Sequence, residues 1–248
     1  MNTALLLSGG IGSRLQSEMP KQYIRVNGKM LITYAIETLS ASEFIDEIQI
    51  VSAQEWRDAI ISDAQKHKIR ADKLKGFSNP GTNRQTSILS GMQGILQRKN
   101  NALATDALGA DAVDNRDTIF IHDAARPLLT QNQISDCFKA LKDHDGVMPV
   151  LPMKDTVYLS EGGDTVSKLL DREKIFAGQA PELFNFKKYY QANIALLPDD
   201  IMKINGSTEP AILAGMDIAM TAGDENNFKI TTQADLDRFK SVITGKIG

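Results

Sequence analysis

The sequence predicts an α/β fold in which a mostly parallel sheet is flanked by helices. Apolar runs of strand length alternate with longer stretches of helical length as far as residue 150. Such alternation is typical of parallel strands joined by right-handed helical crossovers. A turn of small residues also follows the first strand directly, at the carboxyl end where ligands bind in such sheets. Together these observations favour a Rossmann-like sheet.

The predicted strands are short apolar runs, and the predicted helices are longer and mostly amphipathic. We expect strands at residues 3–7, 48–51, 73–76, 118–121 and 146–150. We expect helices at residues 30–39, 55–67, 84–96 and 131–142, and a last helix that Thr232 caps and that ends near Ile243. Residues 98–117 are rich in Asn, Asp, Ala and Gly and are expected to form an exposed loop with at most one helical turn.

Length and composition narrow the possible classes of protein. The 248 residues allow one large α/β domain or two small ones, and the 42% of hydrophobic residues suffice for a full core. A net charge of −3 argues against a general nucleic-acid binder. The single cysteine, Cys137, excludes an internal disulfide framework. With neither a secretory pattern nor a membrane-spanning apolar run, the sequence predicts a cytoplasmic protein that does not enter a membrane.

A loop directly after the first strand carries the strongest functional signal. It contains five small residues, Ser8, Gly9, Gly10, Gly12 and Ser13. Small residues let the backbone approach a ligand closely and aim its N–H groups at phosphate oxygens. Arg14 can then bind phosphate through two donors, and Lys21 adds a mobile point charge. Pro20 stiffens the chain just before Lys21. The loop therefore predicts a phosphate site.

Other interpretations of this loop fit less well. No Gly-Lys-Ser/Thr closes it, which excludes a P-loop, and it lacks the third glycine of a dinucleotide fingerprint. The glycines alone are also compatible with a tight connection between a strand and a helix. The two cations favour phosphate binding over that structural alternative.

The pattern Gly-Gly-x-Gly-x-Arg-Leu, followed by Met-Pro-Lys-Gln-Tyr, resembles a known nucleotide-binding signature. It is that of the cytidylyltransferases that act on 2-C-methyl-D-erythritol 4-phosphate and on ribitol 5-phosphate. Segments 79–87, 122–127, 176–184 and 226–236 resemble the same family, so the resemblance extends from Leu5 to about Leu236. It implies a single nucleotidyltransferase domain over residues 1–248, with a β-arm at residues 152–172.

The resemblance also implies roles for particular residues and a divalent cation, Mg²⁺ or a similar ion. The implied catalytic residues are Arg14, Lys21 and Lys229. The implied CTP-binding residues are Leu7, Ser8, Gly9, Gly10, Gly12, Gly81, Arg84, Ser87, Asp123 and Ala124. The implied acceptor-binding residues are Arg126, Thr156 and Arg172, and the implied metal ligand is Asp123.

Two of these segments also have purely structural interpretations. Residues 79–87 are equally compatible with a turn followed by a capped helix. Asp123 and Arg126 could form a salt-bridged turn, although an aspartate just past a strand end is well placed to hold Mg²⁺ beside substrate phosphates. We expect His122 to be a hydrogen-bonded structural residue, because phosphate attack on CTP requires no histidine base. Lys229, between Phe228 and Ile230, is expected in a strand, where burial without an anion would be costly.

After residue 152 the pattern changes to a predicted β-hairpin. Residues 155–160 and 165–170 alternate around a turn at 161–164. The resemblance implies that this hairpin reaches a second subunit and that Thr156 and Arg172 belong to it. Two strands alone are marginally stable, which independently favours a homodimer.

The chain departs from the family pattern near the expected acceptor. Ala180 replaces a threonine, Glu182 replaces a glutamine, and residues 205–210 read Asn-Gly-Ser-Thr-Glu-Pro, which suits a helix start at the proline. These departures slightly favour ribitol 5-phosphate as the acceptor. Trp56 and residues 184–188 also resemble the ribitol-type members, whereas residues 122–127 with Ala125 resemble the methylerythritol type. The alternatives are the 2-C-methyl-D-erythritol 4-phosphate enzyme of isoprenoid synthesis and a catalytically silent nucleotide-binding relative.

Overall fold

The computed structural model describes residues 1–10, 19–103 and 113–245. Its strands are β1 (Asn2–Leu7), β2 (Arg25–Val26), β3 (Lys29–Met30), β4 (Glu47–Val51), β5 (Leu74–Ser78), β6 (Thr118–Asp123), β7 (Gly146–Pro152), β8 (Tyr158–Leu159), β9 (Lys168–Leu169), β10 (Phe176–Gly178), β11 (Glu182–Asn185) and β12 (Ile218–Ala222). Its α-helices are α1 (Leu31–Ala41), α2 (Arg57–Lys66), α3 (Arg84–Leu103), α4 (Gln131–Leu141), α5 (Phe186–Ile194), α6 (Glu209–Leu213) and α7 (Gln233–Ile243). The expectations for Gly12, Ser13 and Arg14 lie outside the described residues.

One eight-stranded sheet forms the centre of the fold, and it is mostly parallel as predicted. β5, β4, β1 and β6 lie side by side and run parallel. β11 pairs antiparallel with both β6 and β7, so β7 runs in the same direction as β6. β10 also pairs antiparallel with β7, and β12 pairs parallel with it on the opposite edge. The carboxyl ends of β1, β4, β5, β6 and β7 therefore lie at one edge of the sheet.

Helices cover both faces of this sheet, because successive residues of each strand point to opposite sides. Ala4 and Leu6 of β1 belong to a core cluster with residues of α1, α2 and α4. Leu5 belongs to a second cluster with residues of α3 and α5. Burial on both faces explains why the strands read as continuous apolar runs rather than alternating ones.

The boundary of α3 corrects one prediction. The expected loop at 98–117 begins as helix, because α3 continues to Leu103. Two cations hold this extension to the sheet: Arg98 Nη2 lies 2.5 Å from Glu47 Oε2, and Lys99 Nζ lies 2.5 Å from Asp117 Oδ2. Residues 104–112 lie outside the described residues.

The ends of the last two helices follow the predictions. Thr232 caps α7 in a capping box, in which its side chain accepts from the backbone of Asp235 and the Asp235 side chain accepts from the backbone of Thr232. Pro210 lies in the first turn of α6, where its missing N–H costs no helical hydrogen bond. None of the described helices is both long and apolar enough to cross a membrane.

The predicted hairpin is present, with shorter strands than expected. β8 and β9 pair antiparallel with each other, and within the described ranges they pair with no other strand. Four of its apolar side chains are exposed: Tyr158, Leu159, Val166 and Leu169, with exposed fractions of 57%, 44%, 66% and 60%. These side chains give the hairpin an exposed apolar surface.

Candidate active site

A cavity of about 580 Å³ opens at the carboxyl edge of the sheet. The end of β1, the end of β6 and the turn before α3 surround it. Two further segments each contribute a lysine: Lys21 comes from near the start of the sequence and Lys229 from near its end. The described lining residues are Leu7, Ser8, Gly9, Gly10, Lys21, Gln22, Gly81, Thr82, Asn83, Arg84, Ser87, Asp123, Ala125, Lys229 and Thr231.

Two glycines in the lining are required by close packing. A Cβ atom at Gly9 would lie 2.4 Å from Cβ of Pro80, and one at Gly81 would lie 2.3 Å from Oγ1 of Thr86. The loop after β1 therefore approaches the turn before α3 closely at Gly9 and Pro80, and Gly81 packs closely on the first turn of α3. Ser8 is buried, and its hydroxyl donates to the Val51 carbonyl at 2.9 Å, which ties the loop to β4.

The lysine at position 21 begins a single 3₁₀ turn, Lys21–Tyr23. Pro20 precedes the turn in an extended conformation, with a φ of −58° and a ψ of 136°. Gln22 and Tyr23 are buried and donate hydrogen bonds to carbonyls of the loop after β1. The turn is therefore attached to the glycine loop, which brings Lys21 to the same cavity.

Residues 79–87 form a turn followed by a capped helix, as the structural interpretation predicts. Asn83 accepts a hydrogen bond from Thr86 N at 2.7 Å, as a residue that caps a helix does. Ser87 Oγ donates to Asn83 O at 2.8 Å and accepts from Gly81 N at 3.0 Å. The capped turn is also one wall of the cavity. Sequence reasoning missed the lining residues Thr82 and Asn83, although their position directly after Gly81 was a usable signal.

Asp123 lies at the end of β6 and is surrounded by three cations. Arg84 Nη2 lies 3.1 Å from Oδ1, Lys229 Nζ lies 3.0 Å from Oδ2, and Arg126 Nε lies 3.6 Å from Oδ2. Burial alone would raise the pKa of this carboxyl, but the three cations outweigh burial and hold the pKa well below its usual range. Asp123 is therefore an anion at neutral pH. The predicted contact between Asp123 and Arg126 is present within this larger cluster.

Glu182, the first residue of β11, adds a second carboxylate to the cluster. Its Oε2 lies 3.5 Å from Arg84 Nη2, and its Oε1 accepts a hydrogen bond from Ser207 Oγ. Burial raises the pKa of Glu182, against the opposing effects of Arg84 and Ser207. Two positions that depart from the family pattern, 182 and 207, thus contact each other. Their contact could not be read from the sequence, because 24 residues separate them.

His122 is a buried, hydrogen-bonded residue, in agreement with the structural role predicted for it. It is fully buried, and its Nε2 lies 3.0 Å from the Arg126 carbonyl oxygen. Burial lowers the pKa of the ring to about 4, so the ring is neutral at pH 7. The hydrogen bond holds the turn that carries Arg126. His122 is not among the described residues that line the cavity.

Several predicted site residues do not line the cavity. Ala124 is buried, and its N–H donates to the Leu7 carbonyl at 2.9 Å. Arg126 lies behind Asp123, where its Nη1 donates to the Asn227 carbonyl at 2.6 Å. Thr156 and Arg172 are exposed at the base of the hairpin, and Arg172 donates to the Lys154 carbonyl at 3.0 Å.

The expected strand around Lys229 is absent, which corrects another prediction. Residues 228–230 have an irregular backbone, held by a hydrogen bond of 2.8 Å from Ile230 N to the Ala125 carbonyl. The Lys229 side chain remains 38% exposed while its ammonium pairs with Asp123. Irregular backbone lets the lysine reach the cavity beside Ala125 and Thr231, two lining residues that sequence reasoning missed.

The donor atoms of the cavity suit a metal shared with a ligand. The described residues contain no group of three or more His, Cys, Asp and Glu side chains that could hold an ion by themselves. Asp123 is the one acid among the described lining residues. Mg²⁺ commonly binds through one or two carboxylates together with substrate phosphates, and a single carboxylate beside a phosphate-sized cavity fits that mode.

Comparison with known proteins shows the family of this chain. The family model described as 2-C-methyl-D-erythritol 4-phosphate cytidylyltransferase matches residues 3–244. A protein of that name from Lachnospira eligens is 28% identical over 96% of each chain. A ribitol-5-phosphate cytidylyltransferase from Lacticaseibacillus paracasei is 26% identical over 99% of each chain.

A solved structure shares the fold. The 4-diphosphocytidyl-2C-methyl-D-erythritol synthase from Anaerococcus prevotii superposes with a TM-score of 0.78 at 21% identity, covering 98% of this chain and 96% of its own. The family match spans the glycine loop, the Asp123 cluster and Lys229. The chain therefore belongs to the 2-C-methyl-D-erythritol 4-phosphate cytidylyltransferase family.

Proposed function

We propose that this protein transfers CMP from CTP to the phosphate of a sugar alcohol, giving a CDP-polyol and pyrophosphate. The observation that carries the proposal is the meeting of the glycine loop, Lys21, Lys229 and Asp123 at one cavity in a chain of the cytidylyltransferase family. A phosphate oxygen of the acceptor forms a bond to the α-phosphorus, and the bond from that phosphorus to the pyrophosphate oxygen breaks. The acceptor is already an anion, so the reaction needs no strong base.

Charge is the main obstacle to this reaction, and cations are the main means of overcoming it. The transition state spreads negative charge over the α-phosphoryl oxygens, next to an anionic nucleophile and an anionic leaving group. Fixed cations aimed at that charge stabilise the transition state without reorganising. We assign this role to Lys21 and Lys229, and also to Arg14 on the basis of the family resemblance.

The remaining lining residues suit CTP and its counter-ion. Ser8, Gly9, Gly10 and Gly12 supply backbone for the triphosphate, and the turn with Gly81, Arg84 and Ser87 faces the cytidine. Leu7 lines the cavity, and Ala124 supports it from behind through the hydrogen bond to the Leu7 carbonyl. A divalent cation, Mg²⁺ in the first instance, would be held by Asp123 together with the phosphates and would neutralise part of their charge.

For the acceptor, we place ribitol 5-phosphate first and 2-C-methyl-D-erythritol 4-phosphate second. Relatives of both names match the chain over nearly its full length. Ala180 is only 5% exposed and does not line the described cavity. The slight preference for ribitol 5-phosphate rests on the departures at Ala180 and residues 207–210, and also on Trp56 and residues 184–188, which resemble the ribitol-type members.

The proposal is tested by pyrophosphate release in the presence of Mg²⁺. We expect release with CTP and one of the two polyol phosphates, and little with ATP, GTP or UTP. The reason is that the amino group of cytosine needs specific partners, which we assign to the 81–87 turn. Comparable turnover with UTP would overturn the base assignment. A protein that binds CTP but releases no pyrophosphate with either acceptor would instead be the silent relative.

We also propose that the chain is a single domain that works as a homodimer through the arm at residues 152–172. The exposed apolar side chains of β8 and β9 need cover, and two-fold pairing is the commonest closed arrangement. Thr156 and Arg172 do not line the cavity of their own chain, which suits a role in the acceptor site of a partner. A cytoplasmic location completes the proposal and agrees with the unpaired thiol of Cys137.

Removing the arm should separate CTP binding from turnover. Replacing residues 157–170 with a short Gly-Ser turn is expected to give a folded monomer that binds CTP, because the hairpin is not part of the central sheet. Its turnover should be at background, since the acceptor site then lacks the arm of the partner. Sedimentation, CTP binding and pyrophosphate release are measured on the same sample. The control exchanges only the turn at 161–164, and an active monomeric native protein would contradict the proposal.

A further inference from the structure

Gln22 is a buried side chain whose amide bridges two carbonyls of the glycine loop. Its exposed fraction is 3%, and its Nε2 donates to Ser8 O at 2.6 Å and to Gly10 O at 2.9 Å. A carboxamide nitrogen carries two N–H donors, and here both are used on the loop. A glutamine at this position therefore fixes the carbonyls on both sides of Gly9.

Fixing a carbonyl also fixes the N–H of the same peptide unit. In a planar trans peptide, the C=O and the N–H point in opposite directions. Because Ser8 O points to the Gln22 amide, the N–H of Gly9 points away from it. The bridge thus sets the direction of a backbone donor in the loop where phosphate is expected.

Gln22 also connects this loop to Lys21. The two residues are adjacent in the Lys21–Tyr23 turn, and Tyr23 adds a third hydrogen bond, from its hydroxyl to Ser8 O at 3.0 Å. Trp56 stacks on the Tyr23 ring, with ring centroids 4.2 Å apart and planes inclined by 16°. The loop and the lysine turn are consequently held as one unit from the side of the protein core.

We propose that Gln22 is a positioning residue that aligns the glycine loop with Lys21 for the triphosphate. This inference rests on the proposed function, because it assumes that the cavity binds CTP. Gln22 does not itself act on the reacting atoms. Its amide draws two carbonyl oxygens of the loop toward itself, and these oxygens would otherwise repel phosphate. Because Lys21 is in the same turn, Gln22 also keeps Lys21 beside the triphosphate site.

The test replaces Gln22 with methionine, which has nearly the same length and no N–H donor. We expect the KM for CTP to rise roughly 10- to 30-fold, the size of losing two hydrogen bonds that organise a binding loop. We expect kcat to fall less, because Lys21 remains in the chain. Gln22→Asn, one methylene shorter, retains the amide but cannot span both carbonyls and should show the same KM effect if Gln22→Met does not fold.

Gln49→Met is the matched control. Gln49 is also buried, at 1% exposure, and its Nε2 donates to Ser78 Oγ at 2.9 Å within the sheet. Losing this amide should lower thermal stability by an amount similar to Gln22→Met and leave the KM for CTP unchanged. Equal KM effects in the two variants, or a normal KM in Gln22→Met, would overturn the positioning role.

A second measurement separates this inference from the proposed function. The Ser8 amide, which donates to Val51 O at 2.8 Å at the base of the loop, should exchange its hydrogen at least tenfold faster in ligand-free Gln22→Met than in the native protein and in Gln49→Met, because the loop is no longer held by the bridge. Faster exchange without CTP binding by the native protein would refute the function but retain the bridge. Unchanged exchange would refute the bridge whatever the protein binds.

Discussion

Lys229→Ala is expected to lower kcat by roughly 100- to 1000-fold, the size of removing one preorganised contact to the transition state. The Lys229 ammonium lies 3.0 Å from Asp123 and its side chain is 38% exposed, so it is held at the cavity and remains accessible to a ligand. Because irregular backbone carries it, the mutation removes a charge without disturbing a strand. Single-turnover release of pyrophosphate measures the effect on chemistry directly.

The same loss is expected for Lys21→Ala, because Lys21 also lines the cavity. Lys139→Ala is the control, since Lys139 is an exposed residue of α4 that only pairs with Asp136 at 3.7 Å. The KM for CTP should change less than kcat in both lysine variants, because the developing charge is greater in the transition state than in bound CTP. Near-normal kcat in both variants, with an unchanged fold, would show that the two lysines do not stabilise the transition state.

The sequence predicted the fold well because the signals are local and strong. β1 and β6 are uninterrupted apolar runs that burial on both faces requires, and the capping residue of α7 was visible as Thr232 before a periodic stretch. The end of α3 was missed because Arg98 and Lys99 stabilise it through partners in β4 and beside β6. Such contacts depend on tertiary structure and leave no local pattern.

The site was only partly predictable, for the same physical reason. Glycine-containing loops and acids at strand ends are typical of ligand sites, so Gly9, Gly81 and Asp123 could be predicted as lining residues. Gln22 could not, because its function depends on two carbonyls of a loop more than ten positions earlier in the chain. Nor could the sequence show that Glu182 approaches Arg84, since only the pairing of β11 with β6 brings them together.

Asp123→Asn is expected to destabilise the protein as well as to impair catalysis. The carboxylate balances Arg84, Arg126 and Lys229, and an amide cannot replace its charge. Breaking a buried ion pair by removing one partner costs about 3–5 kcal/mol. We expect about 3 kcal/mol here, because Arg84 retains Glu182 and Lys229 is partly exposed. In a chain of this size that corresponds to a fall in Tm of roughly 6–12 °C.

The pH dependence of this loss distinguishes a charge effect from a packing effect. The pKa of Asp123 is lower in the folded than in the unfolded state, so the unfolded chain binds the proton more readily. The stabilisation is therefore fully present above the unfolded pKa of about 3.9 and is lost as the pH falls below it. The difference in unfolding free energy between native protein and Asp123→Asn should be largest near pH 7 and should narrow below about pH 4.

Asp117→Asn provides the comparison for the functional part of this prediction. Asp117 is also a mostly buried acid, paired with Lys99 at 2.5 Å, but it precedes β6 at the opposite edge of the sheet from the cavity. The Asp117→Asn protein should be less stable than the native protein and keep the native KM for CTP. The Asp123→Asn protein should be less stable and should also lose most of its turnover at saturating Mg²⁺. An Asp123→Asn protein with a pH-independent stability loss and normal turnover would place the anion outside the reaction, because neither the cations nor the metal would then depend on its charge.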